Sequence, residues 1–109
     1  MKKIKTWSAG DSYFEYEGSI ESGTDIYFGQ NSEKPINVSK EQYQKLIEHF
    51  GGQTVPIGTS RDARPVGSVG EWLENNVVKT AIASYVGAIL IEEGFAIKFF
   101  AKRGYISFN

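Results

Sequence analysis

Residues 38–52 read VSKEQYQKLIEHFGG, and this stretch decides the fold class. Ser39 and Gln42 stand at the spacing of an S-x-x-Q capping box, with Val38 and Tyr43 at the two hydrophobic-staple positions. Tyr43, Leu46, Ile47 and Phe50 then recur at i, i+3, i+4 and i+7, an apolar stripe at the helical period. Gly51-Gly52 supplies the stop, since the residue after a helix favours a left-handed backbone that glycine adopts freely. A helix over about 39–50 with one apolar face must lay that face on another element, and the flanking sequence supplies a sheet.

Upstream, Ser12 to Ile20 alternates: Phe14, Tyr16 and Ile20 fall on one side, Tyr13, Glu15 and Glu17 on the other. That is the period of a half-buried strand. Glu21-Ser22-Gly23-Thr24 is turn chemistry, and Ile26 and Phe28 face together beyond it. A hairpin over residues 12–29 follows, with Ile4 and Trp7 joining as an edge strand. Residues 30–38, rich in Gln, Asn, Ser, Glu and Pro, read as a loop. Period-two strands followed by a 3.6-period helix define an α+β chain with an N-terminal antiparallel sheet.

Downstream, Val55 and Ile57 suggest a short strand and Gly58 to Gly67 a loop. Ser68 and Glu71 form a second capping-box pattern, opening a helix over about 68–75 with Val69, Trp72 and Leu73 inward; Glu74-Asn75-Asn76 breaks it. The apolar run from Val77 gives a third helix over about 77–93, ending at Gly94. Phe95 to Phe100, the turn Ala101-Lys102-Arg103-Gly104 and Tyr105 to Phe108 make a β-hairpin over 95–108. The expected core is Phe14, Ile26, Phe28, Leu46, Ile47, Phe50, Trp72, Leu73, Ile82, Val86, Ile89, Ile97 and Ile106.

With 109 residues, the chain fits one α+β domain spanning 1–109. Its 40% hydrophobic and 14% aromatic content, with a net charge of −1, gives core material and argues against disorder. The absence of cysteine removes disulfides and thiolate metal sites. The basic start Lys2-Lys3-Ile4-Lys5 is followed by no apolar run of the kind a secretory signal needs. The longest apolar stretch, Val77 to Ile91, is interrupted by Lys79 and Ser84 and is too short to span a bilayer. The expected location is the cytoplasm, without a membrane partner. His49 is the only histidine, which excludes a histidine-rich metal site, and Glu48-His49 and Glu92-Glu93 lack a nucleophile or third ligand. No enzyme, metal or cofactor is expected.

The order short helix, longer helix, hairpin resembles the second half of a winged-helix DNA-binding domain. Ser68-Val69-Gly70-Glu71-Trp72-Leu73 and the segment from Thr80 through Ile89-Leu90-Ile91-Glu92-Glu93-Gly94-Phe95 carry the resemblance, with Lys102-Arg103-Gly104 at the tip of the wing. It implies that the second of these helices lies in the major groove and that the wing touches the backbone. Lys79, Thr80 and Ser84 would then face DNA from the helix, and Lys98, Lys102 and Arg103 from the wing. Read from its own residues, however, the third helix is apolar nearly all round, the mark of a helix buried in a core or against a partner.

The loop Gly58-Thr59-Ser60-Arg61-Asp62-Ala63-Arg64-Pro65 brings Arg61 and Arg64 just ahead of a helix start, where backbone amides favour an anion such as a nucleic-acid phosphate. Thr80, Ser84 and Ala88 repeat at spacing four, as do Ala83 and Gly87; this small-residue face packs closely, against the helix at 39–50 or a second copy of the chain. Residues 10–33 hold Asp11, Glu15, Glu17, Glu21, Asp25 and Glu33 with no lysine or arginine. Double-stranded DNA is therefore the expected partner, through phosphate contacts from Arg61, Arg64, Lys79, Thr80, Ser84, Lys98, Lys102 and Arg103. The alternative is a protein-interaction or inhibitor protein using Tyr13, Glu15, Glu17, Asp25 and Tyr27, or a homodimer through the small-residue helix.

Overall fold

The period-two stretch forms the middle of a four-stranded antiparallel sheet. Our computed structural model describes residues 1–8, 12–29 and 34–109. Strands Lys2–Lys5 (β1), Tyr13–Ser19 (β2), Gly23–Tyr27 (β3) and Ile36–Val38 (β4) lie in that order. Phe14, Tyr16, Ile26 and Val38 are buried on one face, while Tyr13, Glu15 and Glu17 point outward. Trp7 lies past the end of β1; its N–H donates to the Ser84 carbonyl at 2.9 Å. The 30–38 segment is not all loop. Ile36 pairs with Ile26 and Val38 with Thr24, so its last three residues extend the sheet as β4. Residues 30–33 of that expected loop lie outside the described residues.

Helix Lys40–Phe50 (α1) starts as its sequence dictates. The Gln42 N–H donates to Ser39 Oγ at 3.1 Å and the Ser39 N–H to Gln42 Oε1 at 2.9 Å. Tyr43, Leu46 and Phe50 are buried, Ile47 partly so, and the Tyr43 hydroxyl lies 2.7 Å from Thr24 Oγ1 of β3. Strand Thr54–Pro56 (β5) follows, then helix Val69–Asn76 (α2). Its capping box is only half closed: the Glu71 N–H donates to Ser68 Oγ at 3.1 Å, but Glu71 Oε1 accepts from Gly67 N–H, because the Ser68 N–H is taken by the Pro65 carbonyl.

The third helix is shorter than the apolar run implies: it spans Ala83–Glu92 (α3). Val77 and Val78 instead close α2, both donating to the Leu73 carbonyl, and Arg64 Nη2 donates to the Lys79 carbonyl at 3.1 Å. In a helix starting at Val77 that carbonyl would accept from Ala83. At Gly87 the small-residue face packs closely on Trp7 and Ile57. A Cβ at Gly87 would sit 2.8 Å from Ile57 Cδ1 and 3.1 Å from Trp7 Cε3.

Strands Ala96–Lys98 (β6) and Tyr105–Phe108 (β7) complete a second sheet in the order β5-β7-β6. Ala96 and Lys98 pair with Phe108 and Ile106 on its inner face, which puts Ile97 on the outer face, 60% exposed, against the expectation that it is core. Phe28 and Trp72 are likewise only partly buried. Side chains from both sheets and all three helices share one apolar cluster, with Ile26, Leu46, Leu73, Ile89 and Ile106 at its centre. Among the described residues no helix is long and apolar enough to cross a membrane.

Candidate nucleic-acid interface

The candidate basic residues other than Lys102 divide between two recesses joined by one loop. The β6–β7 connection carries Phe99, Phe100, Lys102 and Arg103 and turns at Gly104, whose φ of 82° is a left-handed value that glycine adopts without strain. Gly104 also ties the turn inward, its carbonyl accepting from Ile57 N–H at 2.8 Å. Beside the hairpin lies an open recess of about 600 Å³ lined by Trp7, Phe99, Phe100 and Tyr105 with Lys98 and Arg103. Among the described residues no carboxylate lines it.

Lys98 reaches across the inner face of the second sheet. Its Nζ donates to the Trp7 carbonyl at 2.7 Å and lies 4.9 Å from the centre of the indole ring, a cation–π position. Lys102 Nζ stands 4.6 Å from the Tyr105 ring centre. Phe100 is 94% exposed. Tyr105 and Trp7 thus hold two of the three hairpin cations against aromatic faces, and Arg103 extends at the turn.

The second recess, about 490 Å³, lies where the Gly58–Gly67 loop passes α3. Arg61, Arg64, Lys79 and Thr80 line it together with Asp62 and Glu74, so its charge is largely compensated. Arg64 is held inside the protein: its side chain is 9% exposed, pairs with Glu74 at 3.1 Å and donates to the Ser60 and Lys79 carbonyls. Phe28 and Tyr85 also line this recess, stacked with ring centres 4.3 Å apart. Burial pushes the Tyr85 hydroxyl above its ordinary pKa, with Arg61 pulling partly back. The start of α2 does not present the amides an anion would need, since those of Gly67, Gly70 and Glu71 already donate to Glu71 Oε1, the Ile57 carbonyl and Ser68 Oγ.

α3 has no free outer face. Ser84 and Tyr85 are half-buried, the Ser84 carbonyl is taken by Trp7, and Tyr85 meets Phe14 edge-on at 5.0 Å between ring centres. The N-terminal sheet and the chain around Trp7 therefore cover the side that a recognition helix would turn to a groove.

On the opposite face of that sheet, Glu15 pairs with Tyr27 and Glu17 with Asp25, making an acidic band across β2 and β3. The neighbouring β1 answers it with Lys3 beside Glu15 and Lys5 beside Tyr13, both Nζ atoms 5.8 Å from the Tyr13 ring centre. Desolvation, and then the nearby Glu17 and Asp25 charges, push the Tyr27 hydroxyl above its ordinary pKa. Asp11 and Glu33 lie outside the described residues.

Glu92 and Glu93 have separate fates. Glu92 is exposed, whereas Glu93 Oε2 accepts from the Tyr16 hydroxyl at 2.8 Å and Oε1 from Ile20 N–H at 2.9 Å. The sequence carries no signal for this link, which spans 73–77 positions. His49 packs edge-on against Phe50 and tilted toward Trp72. Among the described residues no group of three His, Asp or Glu side chains converges as metal ligands would.

Compared with protein-family models, curated proteins and solved structures, the chain matches none of them.

Proposed function

We propose that this chain is a small non-enzymatic nucleic-acid-binding module whose contact surface is the β6–β7 hairpin and the recess beside it. The observation that carries this reading is the recess itself: cationic, lined by aromatic rings and, among the described residues, without a carboxylate. Lys102 and Arg103 neutralise backbone phosphates from the turn, and Lys98 adds a fixed charge at the recess wall. Arg61 and Lys79 are outlying contacts, reached along the loop that runs from Thr59 in the first recess to Arg61 in the second. The order of α2, α3 and the hairpin supports the winged-helix likeness, with the wing rather than α3 making the contact. Such a module acts in a compartment that holds nucleic acid, here the cytoplasm.

A salt series tests it. A labelled mixed-sequence oligonucleotide, as single strand and as duplex, should bind at low salt in at least one form. The double variant Lys102→Glu, Arg103→Glu should weaken that binding sharply and flatten the log–log salt slope by about 0.7–0.9 for each phosphate that is no longer neutralised. Absence of binding to either form at low salt sinks the reading.

The acidic band of Glu15, Glu17 and Asp25 between Tyr13 and Tyr27 favours a second reading, a docking face for a basic protein. It predicts that reversing Glu15 and Glu17 to lysine abolishes partner capture. Under the nucleic-acid reading the same reversal leaves binding unchanged or raises it.

A further inference from the structure

We infer that the hairpin recess is built for unpaired strands: a base of single-stranded nucleic acid stacks on Phe100 while Lys102 and Arg103 hold the phosphates on either side. This rests on the nucleic-acid reading above and narrows it. Phe100 is 94% exposed, and the ring pair it makes is with Phe99, 5.8 Å away and tilted 45°. A lone exposed apolar side chain is ordinary. Phe100, however, stands at a recess that Phe99, Tyr105 and Trp7 also line. Apolar surface gathered in this way, rimmed by cations, marks a binding site.

The chemistry of the rim selects the occupant. In a duplex the base faces are stacked on one another, so a protein meets base edges and backbone, and a flat ring reaches a base only if the base is flipped out. A single strand alternates an exposed π-face with a negative charge, which is the pattern the turn presents as Phe100, Lys102 and Arg103. The recess volume of about 600 Å³ lies within the range of ligand sites, with room for a base beside the ring. The Lys98–Trp7 contact fixes its far wall before any ligand arrives. A second copy of the chain is a poor occupant: a two-fold contact through this patch sets Lys102 and Arg103 against their own like charges.

Fluorescence anisotropy with a short labelled oligothymidine strand, and with a hairpin duplex of equal length, tests the inference on the intact chain. The single strand should bind more tightly than the duplex. Phe100→Ala should lower single-strand affinity roughly 5- to 150-fold, the loss of one base–aromatic stack, with duplex binding and the unfolding midpoint unchanged. Phe100→Trp should keep the affinity and show indole quenching as the strand is added. Equal binding of both forms, insensitive to Phe100→Ala, overturns the inference and leaves the phosphate-contact reading standing. Binding to neither form overturns both. A concentration-dependent mass by light scattering that Phe100→Ala abolishes assigns the patch to a second copy and also overturns it.

Discussion

Two acidic residues close α3, where the negative end of the helix dipole disfavours them. The offset lies across the molecule, in the two hydrogen bonds that Tyr16 and Ile20 donate to Glu93. Glu93→Ala leaves a buried phenol and a buried amide without an acceptor and should cost about 2–4 kcal/mol, read as a lower urea midpoint. Tyr16→Phe removes one donor and leaves Glu93 bonded to Ile20, so about 0.5–1.5 kcal/mol is expected. Burial, and then the hydrogen bond to Glu93, raises the Tyr16 phenol well above its ordinary 10.0; burial does the same to Tyr43, against the opposing bond from Thr24. Folded-state values above the unfolded value mean that the native state keeps protons the unfolded chain gives up. The stabilisation is therefore complete below about pH 10 and declines as pH rises beyond it. Unfolding midpoints measured across that range should fall, and fall less steeply in Tyr16→Phe.

At the level of elements, what the sequence discloses is what short-range chemistry controls. Ser39 and Gln42 cap α1 reciprocally, and the alternation of Phe14 and Tyr16 with Glu15 and Glu17 sets the faces of β2. The start of α3 is hidden because Val77 to Ile82 carries no break in its apolar character beyond Lys79 and Thr80, and Ile82 offers no capping oxygen; the Arg64 bond to the Lys79 carbonyl belongs to tertiary structure. β4 is hidden because three residues are too few to show a period, and the facing of β6 is ambiguous for the same reason. At the candidate site, Lys98, Lys102 and Arg103 are legible as bases of a hairpin. The aromatic wall that Trp7 gives them is not, since Trp7 reaches Lys98 from 91 positions away. The two caps should differ under mutation. Ser39→Ala is expected to cost about 1 kcal/mol and Ser68→Ala about 2, because Ser68 is fully buried and no water can replace its oxygen. Equal midpoints for the two variants would refute that ordering.

For the whole molecule, the division of the cations separates binding from stability. Lys102 and Arg103 sit in an exposed turn, so their double reversal should change stability by no more than about 0.5 kcal/mol per site. Arg64 behaves oppositely: with its guanidinium enclosed between Glu74 and two carbonyls, Arg64→Ala should cost about 1–3 kcal/mol and leave nucleic-acid binding per folded molecule unchanged. Gly87→Ala probes the junction at which α3 meets both the Trp7 segment and the Ile57 side chain. Its added methyl group requires the Ile57 terminus to turn aside and Trp7 to give by a few tenths of an ångström, and overpacking at the low end of about 1–3 kcal/mol should appear in thermal unfolding.

The position of β7 between β5 and β6 has a consequence for the order in which the chain assembles. The four-stranded sheet and the β6–β7 hairpin grow from neighbouring segments, whereas Thr54 and Ser107, 53 positions apart, must meet before β5 joins the small sheet. α2 and α3 lie inside that loop, so closing it orders everything between, and the closure entropy is met only when both helices are in place. Non-local pairing of this kind is slow to form. Amide-exchange pulse labelling during refolding should therefore find β2 and β3 protected early and β5 last, because β6 and β7 pair as a local hairpin while β5 waits for the long closure.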